Sequence, residues 1–152
     1  MKTKLLFIIG LTVAFATHPA LRGATPEQEK AFTEKYKTAF EKNDTATLES
    51  LLYAKEANPM ALQFYRMMVT DGAGSKITKI ELVDLTPEDA KKAAETMDGP
   101  GGAKMKIPLK PIKKLRLAVE HKDANGSSTN TSESFVAEAD GKLVIPVPVD
   151  VK

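Results

Sequence analysis

Residues 112–149, IKKLRLAVEHKDANGSSTNTSESFVAEADGKLVIPVPV, decide the fold. Leu115, Leu117 and Val119 alternate with Lys114, Arg116 and Glu120, the period of a strand with one buried face. A polar turn is expected over residues 123–130, DANGSSTN. Phe135 and Ala137 then resume the apolar phase, and Asp140-Gly141 is a strong two-residue hairpin signal. Leu143, Ile145, Val147 and Val149 complete the pattern. The stretch reads as three consecutive antiparallel strands, with Leu115, Leu117, Val119 and Phe135 on the inward face. Pro146 and Pro148 fall at alternate positions, so their missing N–H groups point the same way. That predicts an outer edge that stays unpaired.

The chain begins with a different kind of segment. Lys2 and Lys4 precede Leu5 to Ala16, an uncharged apolar run of about 12 residues that ends in Ala14-Phe15-Ala16. Charge, apolar run and small-residue cleavage pattern together predict a secretory signal peptide over residues 1–16, with a cut as late as residue 24 as the alternative. The run is shorter than the roughly 20 residues a bilayer span needs. Export implies a secreted or periplasmic protein, with no membrane anchor after cleavage. Residues 17–25 read as a flexible leader, and residues 26–152 as a single domain.

Removing the signal also settles the charge. The chain has 22 Lys+Arg against 20 Asp+Glu, and the cut removes Lys2 and Lys4, leaving 20 against 20. A near-neutral domain with 6% aromatics and no Trp has neither the basic surface nor the stacking platforms of a nucleic-acid binder. The chain has no Cys, which excludes disulfides, thiolate catalysis and Cys-ligated zinc. No cofactor or metal is expected.

Working upstream from the sheet, Thr25-Pro26-Glu27-Gln28 opens a helix as a capping box. Phe32, Tyr36, Ala39 and Phe40 recur at helical spacing, and the helix should end near Lys42-Asn43. A second helix is expected from Asp44 or Thr45 to about Lys55. A third starts at Asn58-Pro59, with Ala61, Phe64, Tyr65 and Met68 as its buried stripe. Residues 76–85 read as a strand with a bulge or two-sided burial, because their alternation is imperfect. Thr86-Pro87 begins a surface helix, and Gly99-Pro100-Gly101-Gly102 reads as a linker. Residues 104–109 alternate cleanly, and Pro108 and Pro111 predict an edge strand or an irregular crossing there.

Helices followed by a meander imply an α+β fold, N-terminal helices packed on a curved, cone-like antiparallel sheet. The helix-turn-helix AFTEKYKTAFEKNDTATLESLL, residues 31–52, resembles the opening of the nuclear transport factor 2-like superfamily. The closing SFVAEADGKLVIPV, residues 134–147, resembles that superfamily's final hairpin. Its members usually carry a short strand pair between the second and third helices, where this chain offers residues 53–58. Its extra material is residues 86–111. A cystatin-like helix-on-sheet arrangement is the related alternative. The superfamily contains isomerases and dehydratases as well as domains without chemistry, so the resemblance alone selects no activity.

Three side chains are candidates for chemistry. Tyr36 and Tyr65, on inward helix stripes, are placed to donate to a substrate oxyanion. His121, in phase with Leu117 and Val119, is placed as a base at the mouth of the cone. The alternative for each is structural: tyrosine rings packed in the core with the hydroxyl on a backbone carbonyl, and a half-exposed strand-end histidine. The ligand-pocket candidates are Phe32, Tyr36, Phe40, Phe64, Tyr65, Leu117, Val119 and Phe135. Lys104, Lys106, Lys110, Lys113 and Lys114 form the densest charge cluster, either a solvated edge or a surface for an acidic polymer. No convergent set of inward polar residues is visible. The sequence therefore predicts a non-enzymatic binding domain for a small apolar ligand or a protein partner. The alternatives are an isomerase- or dehydratase-type enzyme using the inward Tyr and His, and a homodimer joined through the sheet as a structural module of an envelope complex.

Overall fold

The structure, a computed structural model, describes residues 23–99, 102–124 and 126–152, with backbone alone for residues 122 and 123. The expected signal peptide, most of the expected leader, and Pro100 and Gly101 of the expected linker lie outside the described residues.

Helix α1 (Pro26–Glu41) starts as its sequence demands. The Thr25 side chain accepts from the Gln28 N–H, and the Gln28 side chain accepts from the Thr25 N–H. It ends at Lys42, and Asn43 takes a φ of 54°, a left-handed turn that Asn tolerates. Helix α2 is Thr45–Glu49, one turn capped by Asp44. The expected extension to Lys55 is corrected: the chain straightens into β1 (Leu52–Tyr53). Helix α3 (Pro59–Thr70) is capped by Asn58, whose side chain accepts from the Met60 and Ala61 N–H groups. Strand β2 (Lys76–Val83) carries the expected bulge, between Ile77 and Lys79. Helix α4 (Pro87–Ala94) begins in a second capping box, Thr86 with Asp89.

The remaining strands are β3 (Met97–Asp98), β4 (Lys104–Lys106), β5 (Pro111–Asp123), β6 (Gly126–Ala139), β7 (Lys142–Pro146) and β8 (Val149–Asp150). They form a five-stranded sheet, order β1-β7-β6-β5-β2, and a three-stranded sheet, order β3-β4-β8. The fold is α+β, and the meander is β5-β6-β7. Asp140 and Gly141 both have positive φ, 51° and 74°, as a tight hairpin turn requires.

Four details of the sequence reading are corrected. First, residues 126–130 are not turn: β6 pairs with β5 from Asp123↔Gly126 to Pro111↔Ala137. Second, the ladder between β6 and β7 spans only Ala137↔Val144 to Ala139↔Lys142. Beyond it β7 turns to β1, with Ile145 and Val147 donating to the Leu51 and Tyr53 carbonyls. β1 thus covers the side of β7 to which the Ile145 and Val147 N–H groups point, and Pro146 and Pro148 are fully buried rather than at an outer edge. Third, Val149 does not extend the large sheet but pairs with Lys106 in the small one. Fourth, β4 is the central strand of that sheet rather than an edge, and Pro108 and Pro111 lie outside it.

Helix α1 packs on β2 and β7, across one face of the large sheet. Phe32, Tyr36, Phe40, Leu48, Val69, Ile77, Leu115, Leu117, Val119, Val136 and Ile145 form the core beneath it. Strand parity sets which β6 residues join them. Residues paired directly across an antiparallel ladder share a face, and Leu115 and Leu117 lie opposite Ser134 and Ser132. Val136 therefore points inward and is wholly buried. Phe135 is on the other face, opposite Lys114. The expected inward position of Phe135 is wrong by one residue.

The turn after α3 approaches β5 closely. Gly72 has φ +74°, and a Cβ there would lie 2.8 Å from His121 Cε1. Gly72→Ala should lower stability by about 1–2 kcal/mol through its backbone conformation alone, with more from the clash. Chemical denaturation in a double-mutant cycle checks this: the loss should shrink in a His121→Ala background, and an unchanged loss would place the cost wholly in the backbone.

Candidate functional site

Most residues expected to line a pocket under the helices belong to the packed core. Tyr36 is 2% exposed, and its ring stacks on Phe40 with centroids 6.1 Å apart. Its hydroxyl donates to the Val69 carbonyl at 3.4 Å. Burial raises its pKa well above that of an ordinary tyrosine, so its hydroxyl stays protonated. Tyr65 is half-buried against the same core, and burial raises its pKa too. The His121 ring sits at the Gly72 turn, and its strand pairs it with Ser128. Among the described residues, the buried set contains no polar or charged residue beyond the Tyr36 hydroxyl, and no group of His, Cys, Asp or Glu is placed to hold a metal.

The ligand-pocket candidates separate accordingly. Phe32, Tyr36, Phe40, Leu117 and Val119 are core residues, together with partly buried Tyr65. Phe64 is not on a buried stripe: it is 58% exposed, with Met60 at 48% and Met67 at 58%. These three lie at i, i+4 and i+7 and make an apolar stripe on the outside of α3. Phe135 lies on the sheet's other face. Of the eight, Phe32 lines a surface groove between α1 and the β6-β7 hairpin.

The lysine cluster does not form one free basic surface. Lys104 pairs with Asp98. Lys113 bridges Glu29 of α1 at 3.1 Å and Asp84 at 2.8 Å. Lys114, on the opposite face, bridges Asp89 of α4 at 3.1 Å and Glu133 of β6 at 2.9 Å. Arg116 donates to Glu133 at 2.8 Å and reaches Glu81 of β2 at 3.5 Å. These are ties between elements. Glu133 is held below its usual pKa by hydrogen bonds from Lys114 and Arg116. Asp89 is held below its own by the Thr86 backbone and hydroxyl and then by Lys114.

The feature missed in the sequence is the free side of β6. The β7 ladder covers β6 only from Ala137 to Ala139. From Gly126 to Phe135 one side of β6 pairs with β5, and among the described residues no backbone group reaches the other side. At about 3.4 Å per residue this open edge is about 30 Å long. Its sequence, GSSTNTSESF, has no Pro and no Lys, the usual protections of a sheet edge. Glu133, its one charged residue, is already neutralised by Lys114 and Arg116. The signal was present: Thr129 and Thr131, two residues apart in a polar run, suit an extended chain exposed on both faces.

No family model matches the chain, and no curated protein matches it. Among solved structures it is similar to the helical cell shape determining protein Pgp2 from Campylobacter jejuni, at 12% identity and a TM-score of 0.43. The match covers 82% of this chain and 42% of that one, so the chain spans less than half of that protein's length. At that identity and score the likeness carries no inference about what this chain does. No described helix is long and apolar enough to cross a membrane.

The ion pairs predict a pH profile. Glu81, Asp84, Asp89 and Glu133 have folded pKa values below their ordinary ones, while those of Lys113 and Lys114 are raised. The carboxylate contribution is present above the unfolded pKa of about 4 and is lost as pH falls through the lower folded values. The lysine contribution is present below about 10.4 and is lost as pH rises through the higher folded values. Thermal unfolding from pH 2 to 11 should show a plateau with both shoulders. Lys114→Met should shrink the acid shoulder, and an unaltered shoulder would remove Lys114 from the account.

Proposed function

We propose that the protein is an exported, non-enzymatic interaction domain that assembles by sheet extension along the open edge of β6. One observation carries this reading: a strand edge about 30 Å long whose one charge, Glu133, is paired with Lys114 and Arg116, unpaired in its backbone among the described residues and unprotected by Pro or Lys. A strand edge offers alternating N–H and carbonyl groups, and a second edge satisfies them most completely. The partner is a second copy of this chain. Around a two-fold axis near Asn130, antiparallel pairing sets Thr129 against Thr131 and Ser128 against Ser132. Such hydroxyl pairs are favourable across strands. Glu133 then faces Ser127 rather than its own copy, so no like charges meet.

The interior supports the non-enzymatic part. Tyr36 spends its hydroxyl on Val69, and the residues that face it are apolar. Nothing there converges on a reacting atom. The exposed Met60-Phe64-Met67 stripe supports the interaction part, because apolar patches on a soluble domain mark contact surfaces. Export rests on the charged, apolar and cleavage pattern of residues 1–16.

Light scattering after size exclusion should give twice the chain mass for the purified protein. Thr129→Lys with Thr131→Lys places gatekeeper charges on the edge outside the core and should give a folded monomer. A wild-type monomer at the concentrations used, or a dimer unaffected by the double substitution, would overturn the reading.

A further inference from the structure

We infer a second site, a groove for a single-chain amphiphile with a carboxylate head, between α1, the end of α2 and the β6-β7 hairpin. It is independent of the β6 edge. The groove holds roughly 500 Å³, within the range of small-molecule sites, about 300–1,000 Å³. Its apolar walls are Ala31, Phe32, Leu51, Leu143 and Val144. Phe32, Leu51 and Leu143 belong to the packed core, so this floor is rigid.

Both ends are fixed by polar contacts. Gln28, already held by the α1 capping box, donates through Nε2 to the Gly141 carbonyl at 2.9 Å. That bond ties the hairpin turn to the helix. Lys35 Nζ donates to Ser50 Oγ at 3.3 Å. The groove therefore exists before any ligand arrives, which lowers the ordering cost of binding.

The charge on the rim selects the head group. Lys35 and Lys142 line the groove, and no Asp or Glu does. Lys35 has spent one of its donors on a neutral hydroxyl, and the carboxylate its charge also acts on, Asp44, lies outside the groove lining. Two ammonium groups over an apolar floor complement a molecule with one anionic end and an alkyl tail. The tail gains from leaving water, and the head gains charge-assisted hydrogen bonds. A neutral apolar molecule satisfies only the floor, and a small anion satisfies only the rim.

Titration of the purified protein with octanoate, octanol and acetate, followed by amide chemical shifts, separates these contributions. Octanoate should saturate with shifts centred on Ala31, Leu51 and Leu143. Octanol should bind about tenfold more weakly, the loss of one charge-assisted contact, and acetate should not saturate. Ala31→Leu fills the groove from an exposed helix position and should abolish octanoate binding. Lys142→Glu should weaken it about tenfold or more while leaving octanol unchanged. The amide spectrum of each variant reports whether it is folded. The inference is overturned if octanoate fails to saturate, if octanol binds equally well, or if folded Ala31→Leu binds octanoate as the parent does.

Discussion

Proline has no N–H to give, and at Pro146 and Pro148 that absence shapes the whole sheet. The β6-β7 ladder stops at Val144. From there the N–H groups of Ile145 and Val147 turn to Leu51 and Tyr53, so β7 gains a parallel neighbour in β1. Pro148 contributes its carbonyl to the Asn58 N–H and is buried where the chain crosses to the small sheet. Two consequences follow. The large and small sheets are joined through one buried segment, PVPV, residues 146–149. The chain that follows Val144 is thereby led away from β6, and that strand keeps an open side from Gly126 to Phe135.

The charges are distributed to hold this arrangement together. Lys113 points to the α1 side of the sheet and Lys114 to the α4 side, and each bridges two carboxylates. Surface ion pairs are individually weak. Here the lysine side chains are 21% and 14% exposed, and each joins elements distant in the chain. Their role is to fix which helix sits on which face. Among the described residues the core is apolar apart from the Tyr36 hydroxyl, and the proposed interaction surfaces, the β6 edge, the outside of α3 and the groove beside α1, lie outside it.

Legibility followed the physical origin of each signal. Local chemistry was readable: the Thr25-Gln28 capping box, the Asn58-Pro59 helix start and the Asp140-Gly141 hairpin all appear where their residues require. Leu115, Leu117 and Val119 were also readable, because a half-buried strand prints a two-residue period. Phe135 was not. Its face depends on the length of the β5-β6 turn, and residues 126–130 looked like turn because a strand exposed on both faces has no apolar period. The bulge between Pro111 and Lys113 breaks the β5-β6 register beside Phe135. Phe64 misled for another reason: α3 carries apolar residues on two sides, and only tertiary packing decides which side the core takes.

Amide hydrogen exchange along β6 tests the central claim most directly. Alternate N–H groups of an antiparallel strand point to opposite neighbours. Between Gly126 and Phe135 one alternate set therefore points to β5 and should be protected at every concentration. The other set points to the open edge. If the edge joins a second copy, that set should also become protected as concentration rises, and Thr129→Lys with Thr131→Lys should remove the protection. Fast exchange of the outward set at all concentrations, with β5-facing amides still protected, would contradict the account.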